Sequence, residues 1–156
     1  VIYRNMYIVE TIDNFNINNI YFTPSLENTV MDEGTFSKIL YSSPDIIMNG
    51  LYILCSFSNT SVEKIAHNKF KIAWNKEKNI DLIDSIKKIE KNIMNKNGTT
   101  NAVYQLEKFL DYNNIRIFSD EKKLVSNNDF ILRISGIWEN NSNCGITYKF
   151  LELNNF

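Results

Sequence analysis

The chain has 156 residues, 44% of them hydrophobic and 13% aromatic, with a formal net charge of −1. That length and composition suit one folded domain with a real core and exclude a disordered chain. No apolar run approaches the ~20 residues of a membrane-spanning helix, no secretion signal opens the sequence, and the charge excludes nucleic-acid binding through a strong overall positive field. The expected setting is therefore intracellular and non-secreted, without membrane contact. Asn and Ile are the commonest residues, while Gly (5) and Pro (2) are scarce.

In chain order, residues 1–12 read as a short strand carrying Ile2, Met6, Ile8 and Ile12. Asn14–Asn19 is turn-like, and Ile20-Tyr21-Phe22 is briefly extended before Pro24. Thr35–Ser42 alternates as a strand should, and Ser43-Pro44-Asp45 breaks it. Asn49-Gly50 is a turn signal, and Leu51–Phe57 follows as a continuous apolar strand. Ser58–Thr60 reads as loop. Asn68–Trp74 alternates, with Phe70, Ile72 and Trp74 inward and Lys69 and Lys71 outward.

The period then changes. Ile80, Leu82, Ile83, Ile86, Ile89 and Ile93 recur every three or four residues, with Asp81 and Asp84 early and Lys87, Lys88 and Lys91 later. That is an amphipathic helix with charges placed as the macrodipole prefers. Asn97-Gly98 stops it. Thr100 or Asn101 can cap a second helix whose apolar face is Val103, Leu106, Phe109 and Leu110. Ile115–Phe118 is a short strand and 120–129 a polar loop. Phe130–Trp138 and Gly145–Leu153 are alternating strands joined by an Asn-rich hairpin loop.

The expected fold is mainly β (α+β): an OB-like five-stranded barrel with residues 79–112 as a helical insertion between strands three and four, in a single domain over 1–156. Gly136 inside its strand fits the sharp bend of a barrel.

Catalytic machinery is not expected. His67 is the single histidine, and Cys55 and Cys144 are far apart, so no zinc site can be assembled. Cys55 lies in the apolar run Leu51–Cys55 and reads as a packed thiol. No Gly-rich phosphate loop is present. The acidic pairs Asp32-Glu33, Asp81 with Asp84, and Asp120-Glu121 fall in turns or on a polar helix face, without a third acid at nuclease-like spacing. No cofactor and no metal are expected.

Barrels of this type hold single strands by stacking bases on aromatic rings and pairing phosphates with Lys and Arg. The candidate contacts are Lys69 and Lys71 on one strand, Arg133 and Lys149 on the last two, and the rings of Tyr41, Tyr52, Tyr148 and Trp138. Because the last two strands form a hairpin, Arg133 and Lys149 can be neighbours. Arg116, Lys122 and Lys123 cluster near a loop. Trp138 and Tyr148 fall on the expected core face, where burial competes with a stacking role.

The stretch Phe130-Ile-Leu-Arg-Ile-Ser-Gly-Ile-Trp-Glu-Asn140, followed by Cys144-Gly-Ile-Thr-Tyr-Lys-Phe150, resembles the C-terminal hairpin of the phage-like single-stranded DNA-binding proteins of nucleocytoplasmic large DNA viruses. Phe22-Thr-Pro24, Val30-Met31-Asp32, Phe36, Ile39–Ser42 and Asn49–Tyr52 also look like that group. The resemblance implies a non-catalytic barrel that coats single-stranded DNA in viral DNA replication or recombination, in host cytoplasm or nucleus, with replication proteins as further partners. The Asn- and Ile-rich composition of an AT-rich genome agrees with such an origin. The family's acidic tail ending in an aromatic residue is only partly matched by Leu151–Phe156, which has one acid. The alternative reading is a structural or protein-interaction module: a virion component or a replisome accessory.

Overall fold

The computed structural model of the chain describes residues 9–27, 34–120, 124 and 128–153. The strand expected over 1–12 lies mostly outside these residues, as do the Val30–Asp32 match, Asp32-Glu33, Glu121, Lys122, Lys123 and Phe156.

The chain is mainly β. Its first strands are β1 (Glu10–Thr11), β2 (Ile20–Phe22), β3 (Leu26–Glu27) and β4 (Thr35–Ser42). These are followed by β5 (Ile47–Asn49), β6 (Leu51–Ser56), β7 (Thr60–Ala66) and β8 (Lys69–Trp74). Two helices come next, α1 (Ile80–Asn97) and α2 (Gln105–Asp111), then β9 (Asn114–Phe118), β10 (Asp129–Glu139) and β11 (Cys144–Glu152). The helices stand between early and late strands, as expected, but the strands form two open sheets and no sheet closes. A closed five-stranded barrel is therefore absent from the pairing of the described residues.

The large sheet is built on β10. From Phe130 to Glu139 it runs antiparallel to β11, while its other edge is shared: residues 129–134 pair β6 and residues 136–139 pair β4. The change of partner coincides with an irregularity between Ile134 and Gly136. Ahead of it, Phe130, Leu132 and Ile134 are buried, and beyond it Ile137 is buried while Trp138 is half-buried. The strict alternation expected through Trp138 thus slips by one position, because a bulge moves later residues to the opposite face. Gly136 is required at this crossing, since a Cβ there would run into the Ser37 carbonyl oxygen and the Phe36 ring.

The small sheet has the order β7-β8-β9. Strand β7 was not apparent in the sequence. Its residues after Thr60 are all exposed, so it carries no inward apolar rhythm and is held by backbone pairing to β8. The Asn49-Gly50 signal makes a kink between β5 and β6, with Gly50 at φ +99°, instead of a hairpin. The reversal from β4 to β5 falls at Ser43–Ile46, closed by the Ser43 N–H on the Ile46 carbonyl at 2.8 Å.

Helix α1 buries Ile83, Ile86, Ile89, Ile93 and Met94 and ends at Gly98, in the left-handed conformation at φ +70°, as a C-terminal glycine permits. One contiguous apolar core links both sheets and both helices. Phe57 bridges the sheets: its ring stacks on Trp74 at 4.5 Å and meets Phe130 at 6.3 Å.

Candidate nucleic-acid interface

Strand β8 points Phe70, Ile72 and Trp74 into the core and turns Lys69 and Lys71 to the other face. Strand β9 does the same with Ile115 and Ile117 inside and Arg116 and Phe118 outside. The register sets Lys71 opposite Arg116 and Lys69 opposite Phe118. Lys69 Nζ lies 5.4 Å from the Phe118 ring centre, a cation–π distance. Glu63 stands across from Lys71 on the other side.

On the large sheet, Arg133 of β10 is opposite Lys149 of β11 and opposite Tyr52 of β6. Partners in an antiparallel ladder share a face, so Tyr52, Arg133 and Lys149 make one row. The Arg133 guanidinium sits 5.6 Å from the Tyr52 ring centre. Two like-charged pairs, Lys71 with Arg116 and Arg133 with Lys149, thus stand directly opposed. None of these four cations has a carboxylate within ion-pair reach among the described residues; the ion pairs Lys87–Asp111 (2.6 Å) and Lys91–Glu107 (3.4 Å) lie on the helices.

The rows meet at a groove of about 830 Å³ between the edge of β9, the edge of β11 and the end of α2. Strands β9 and β11 are not hydrogen-bonded to each other. Lys71, Arg116 and Lys149 line the groove, and among the described residues no carboxylate does. Its aromatic walls are Phe109 and Tyr112 from the α2 end, Phe118 from β9, and Tyr148 and Phe150 from β11. Phe118 is 72% exposed, Tyr112 71% and Phe109 53%. Tyr148 is half-buried and meets Phe150 edge-on at 6.3 Å. Burial, aided by the charge of Glu90, pushes its phenol above the usual tyrosine range.

Of the residues picked from the sequence, Lys71, Lys149 and Tyr148 come together at the groove. Arg133 and Tyr52 adjoin it through Lys149, and Lys69 supports Phe118. Two do not join. Tyr41 is fully buried, stacked on Phe15, with its hydroxyl accepting from the Asn16 N–H at 3.3 Å, so it offers no face to a base. Alternation alone does not say which face of β4 is covered, and the structure buries the one that carries Ile39 and Tyr41. Trp138 is half-buried over Gly145, where a Cβ would come within 2.9 Å of its ring, and it lies outside the groove.

Sequence reasoning missed Phe109, Tyr112 and Phe118 as site residues. A signal existed for Phe118: with Ile115 and Ile117 inward, period two leaves Arg116 and Phe118 outward together. Phe109 was assigned to a buried helix face, and only Leu106 and Leu110 of that face are buried.

Among the described residues, no three His, Cys, Asp or Glu side chains gather to hold a metal. Both cysteines are free and buried, and burial pushes the Cys55 thiol up to about 12. No helix among the described residues is long and apolar enough to cross a membrane. No protein-family model, characterised protein or solved structure matches the chain.

Proposed function

We propose that this chain is a non-catalytic single-stranded DNA-binding protein of the kind used in viral-type DNA replication and recombination. The observation that carries the reading is the groove between β9 and β11. It brings three cations and several exposed aromatic rings into one concave surface, with no acid among the described residues that line it. Rings exposed beside cations suit unpaired bases, because stacking contributes ~1–3 kcal/mol per base and tolerates any sequence. In duplex DNA those base faces are covered. Like charges directly opposed across a ladder are unfavourable, and phosphates relieve that repulsion. In this reading the two sheets are the halves of an OB-like barrel that parts along the β9–β11 seam, and the resemblance of the β10–β11 hairpin to viral single-strand binders points the same way.

The test is fluorescence anisotropy of a labelled oligo-dT of about thirty nucleotides, titrated at low and moderate salt with duplex as competitor. Salt-sensitive binding that duplex does not displace is expected. Phe118→Ala should weaken it roughly 5- to 100-fold, the range for losing one stacking platform. Absence of binding at low salt overturns the proposal. The protein-interaction module is then the better account, since the net charge of −1 and the exposed rings of the groove suit a protein partner as well.

A further inference from the structure

Resting on the single-strand reading, we infer that the bound strand leaves the groove at Lys149 and crosses the outer face of the large sheet, with Arg133 taking a phosphate of its own beyond the groove. Lys149 belongs both to the groove lining and to the row Tyr52–Arg133–Lys149, so the two surfaces are continuous. Arg133 is half-buried, its Nε is enclosed without a hydrogen-bond partner among the described residues, and its neighbour across the ladder is another cation. What the fold gives this guanidinium is the face of Tyr52. An enclosed, underpaired arginine beside a like charge is costly to keep, and an anion in the row would offset both deficits. Arginine also suits a phosphate through its planar donor fork.

The row defines a length. Neighbouring strands are ~4.8 Å apart, so Tyr52 to Lys149 spans about 10 Å. That is about three nucleotides at the ~3.4 Å rise of a stacked strand, and fewer if the strand is extended. The phosphate at Arg133 is therefore met only by oligonucleotides longer than the groove itself holds.

The experiment is an anisotropy series on oligo-dT of increasing length, from about three to fifteen nucleotides, with wild type, Arg133→Ala and Arg133→Lys. Wild-type affinity should keep rising past the groove length. Arg133→Ala should match wild type on the shortest oligonucleotides and lose about tenfold on the longer ones, the effect of one charge-assisted contact. Its salt slope should fall by about 0.7, one phosphate's share. Arg133→Lys should keep the slope, and Arg133→Ala should melt no lower than the wild type, since it removes an unpaired buried donor and a like-charge contact. Equal loss at every length, or no loss at any length, overturns the extended path while leaving the groove intact. Failure of the wild type to bind any oligonucleotide overturns the single-strand reading itself.

Discussion

Glu90 is a fully buried carboxylate on α1, and it caps another helix. Its two oxygens accept from the backbone N–H groups of Leu106 at 3.1 Å and Glu107 at 2.8 Å. These belong to the first turn of α2, where N–H groups have no partner within the helix. Tyr104, at the position where a capping side chain would stand, supplies none. Burial raises the Glu90 carboxyl above its usual range, the two N–H bonds oppose the rise, and nearby Glu107 adds to it. Glu90→Ala would leave two buried donors unpaired and should cost about 2–4 kcal/mol in urea unfolding. Because α2 carries Phe109 and is followed directly by Tyr112, the same variant should also weaken oligonucleotide binding several-fold.

The pH dependence of Glu90 has a definite sign. A raised carboxyl binds its proton more tightly in the folded state, so its ionisation costs stability above the folded pKa, and that cost fades as pH falls toward the ordinary glutamate value. Urea midpoints of wild type and Glu90→Gln, taken at pH 7 and again near the ordinary glutamate pKa of about 4.3, should therefore shift in favour of the wild type at the lower pH. A difference that does not change with pH would mean that the buried carboxyl holds no extra proton affinity.

At the scale of elements, β10 joins three partners, and its irregularity at Gly136 lets it do so. Gly136→Ala should destabilise by ~3 kcal/mol or more, at or beyond the usual range for overpacking, because the obstacles are a backbone carbonyl as well as a ring. Thermal unfolding would measure it, and a loss below 1 kcal/mol would show that β4 can shift aside. The sequence announced those elements whose apolar residues keep a period. Strand β8, helix α1 and the β10–β11 hairpin were legible for that reason. Strand β7 was not, because an exposed edge strand has no inward side chains to mark it, and Glu63 and Lys64 fit the charged edges that discourage sheet-to-sheet association. The α2 cap was equally hidden, since Thr100 and Asn101 can cap by sequence while the residue that caps, Glu90, stands sixteen positions before the Leu106 it bonds.

For the whole molecule, the net charge of −1 gives little sign of a cationic surface, because that surface is assembled from β8, β9, β10 and β11. Strand β8 contributes two cations and each of the others one, and only the register shows that Lys71 meets Arg116 and Arg133 meets Lys149. The half of the site made of lysines and arginines on alternating strands could be listed from the sequence. The half made of rings at the end of α2 could not, since it depends on how that helix is docked. If three or four phosphates are neutralised, log K should fall against log salt with a slope of about −2 to −3. Lys88, exposed on α1 and outside the groove, should leave both slope and affinity unchanged when replaced by Ala, despite removing a full positive charge.

The seam between β9 and β11 has one more consequence. Among the described residues each is the last strand of its sheet on that side, and beyond the bridge of Cys144 to Ala102 neither has a strand paired to the amide and carbonyl groups it turns toward the gap. Such groups recognise whatever lies along them without regard to side-chain identity, and no point substitution short of proline can delete them. A surface of this kind would keep a baseline of adhesion through extensive evolutionary drift of its lysines and aromatics, leaving those residues to tune how tightly, and not whether, the gap is filled.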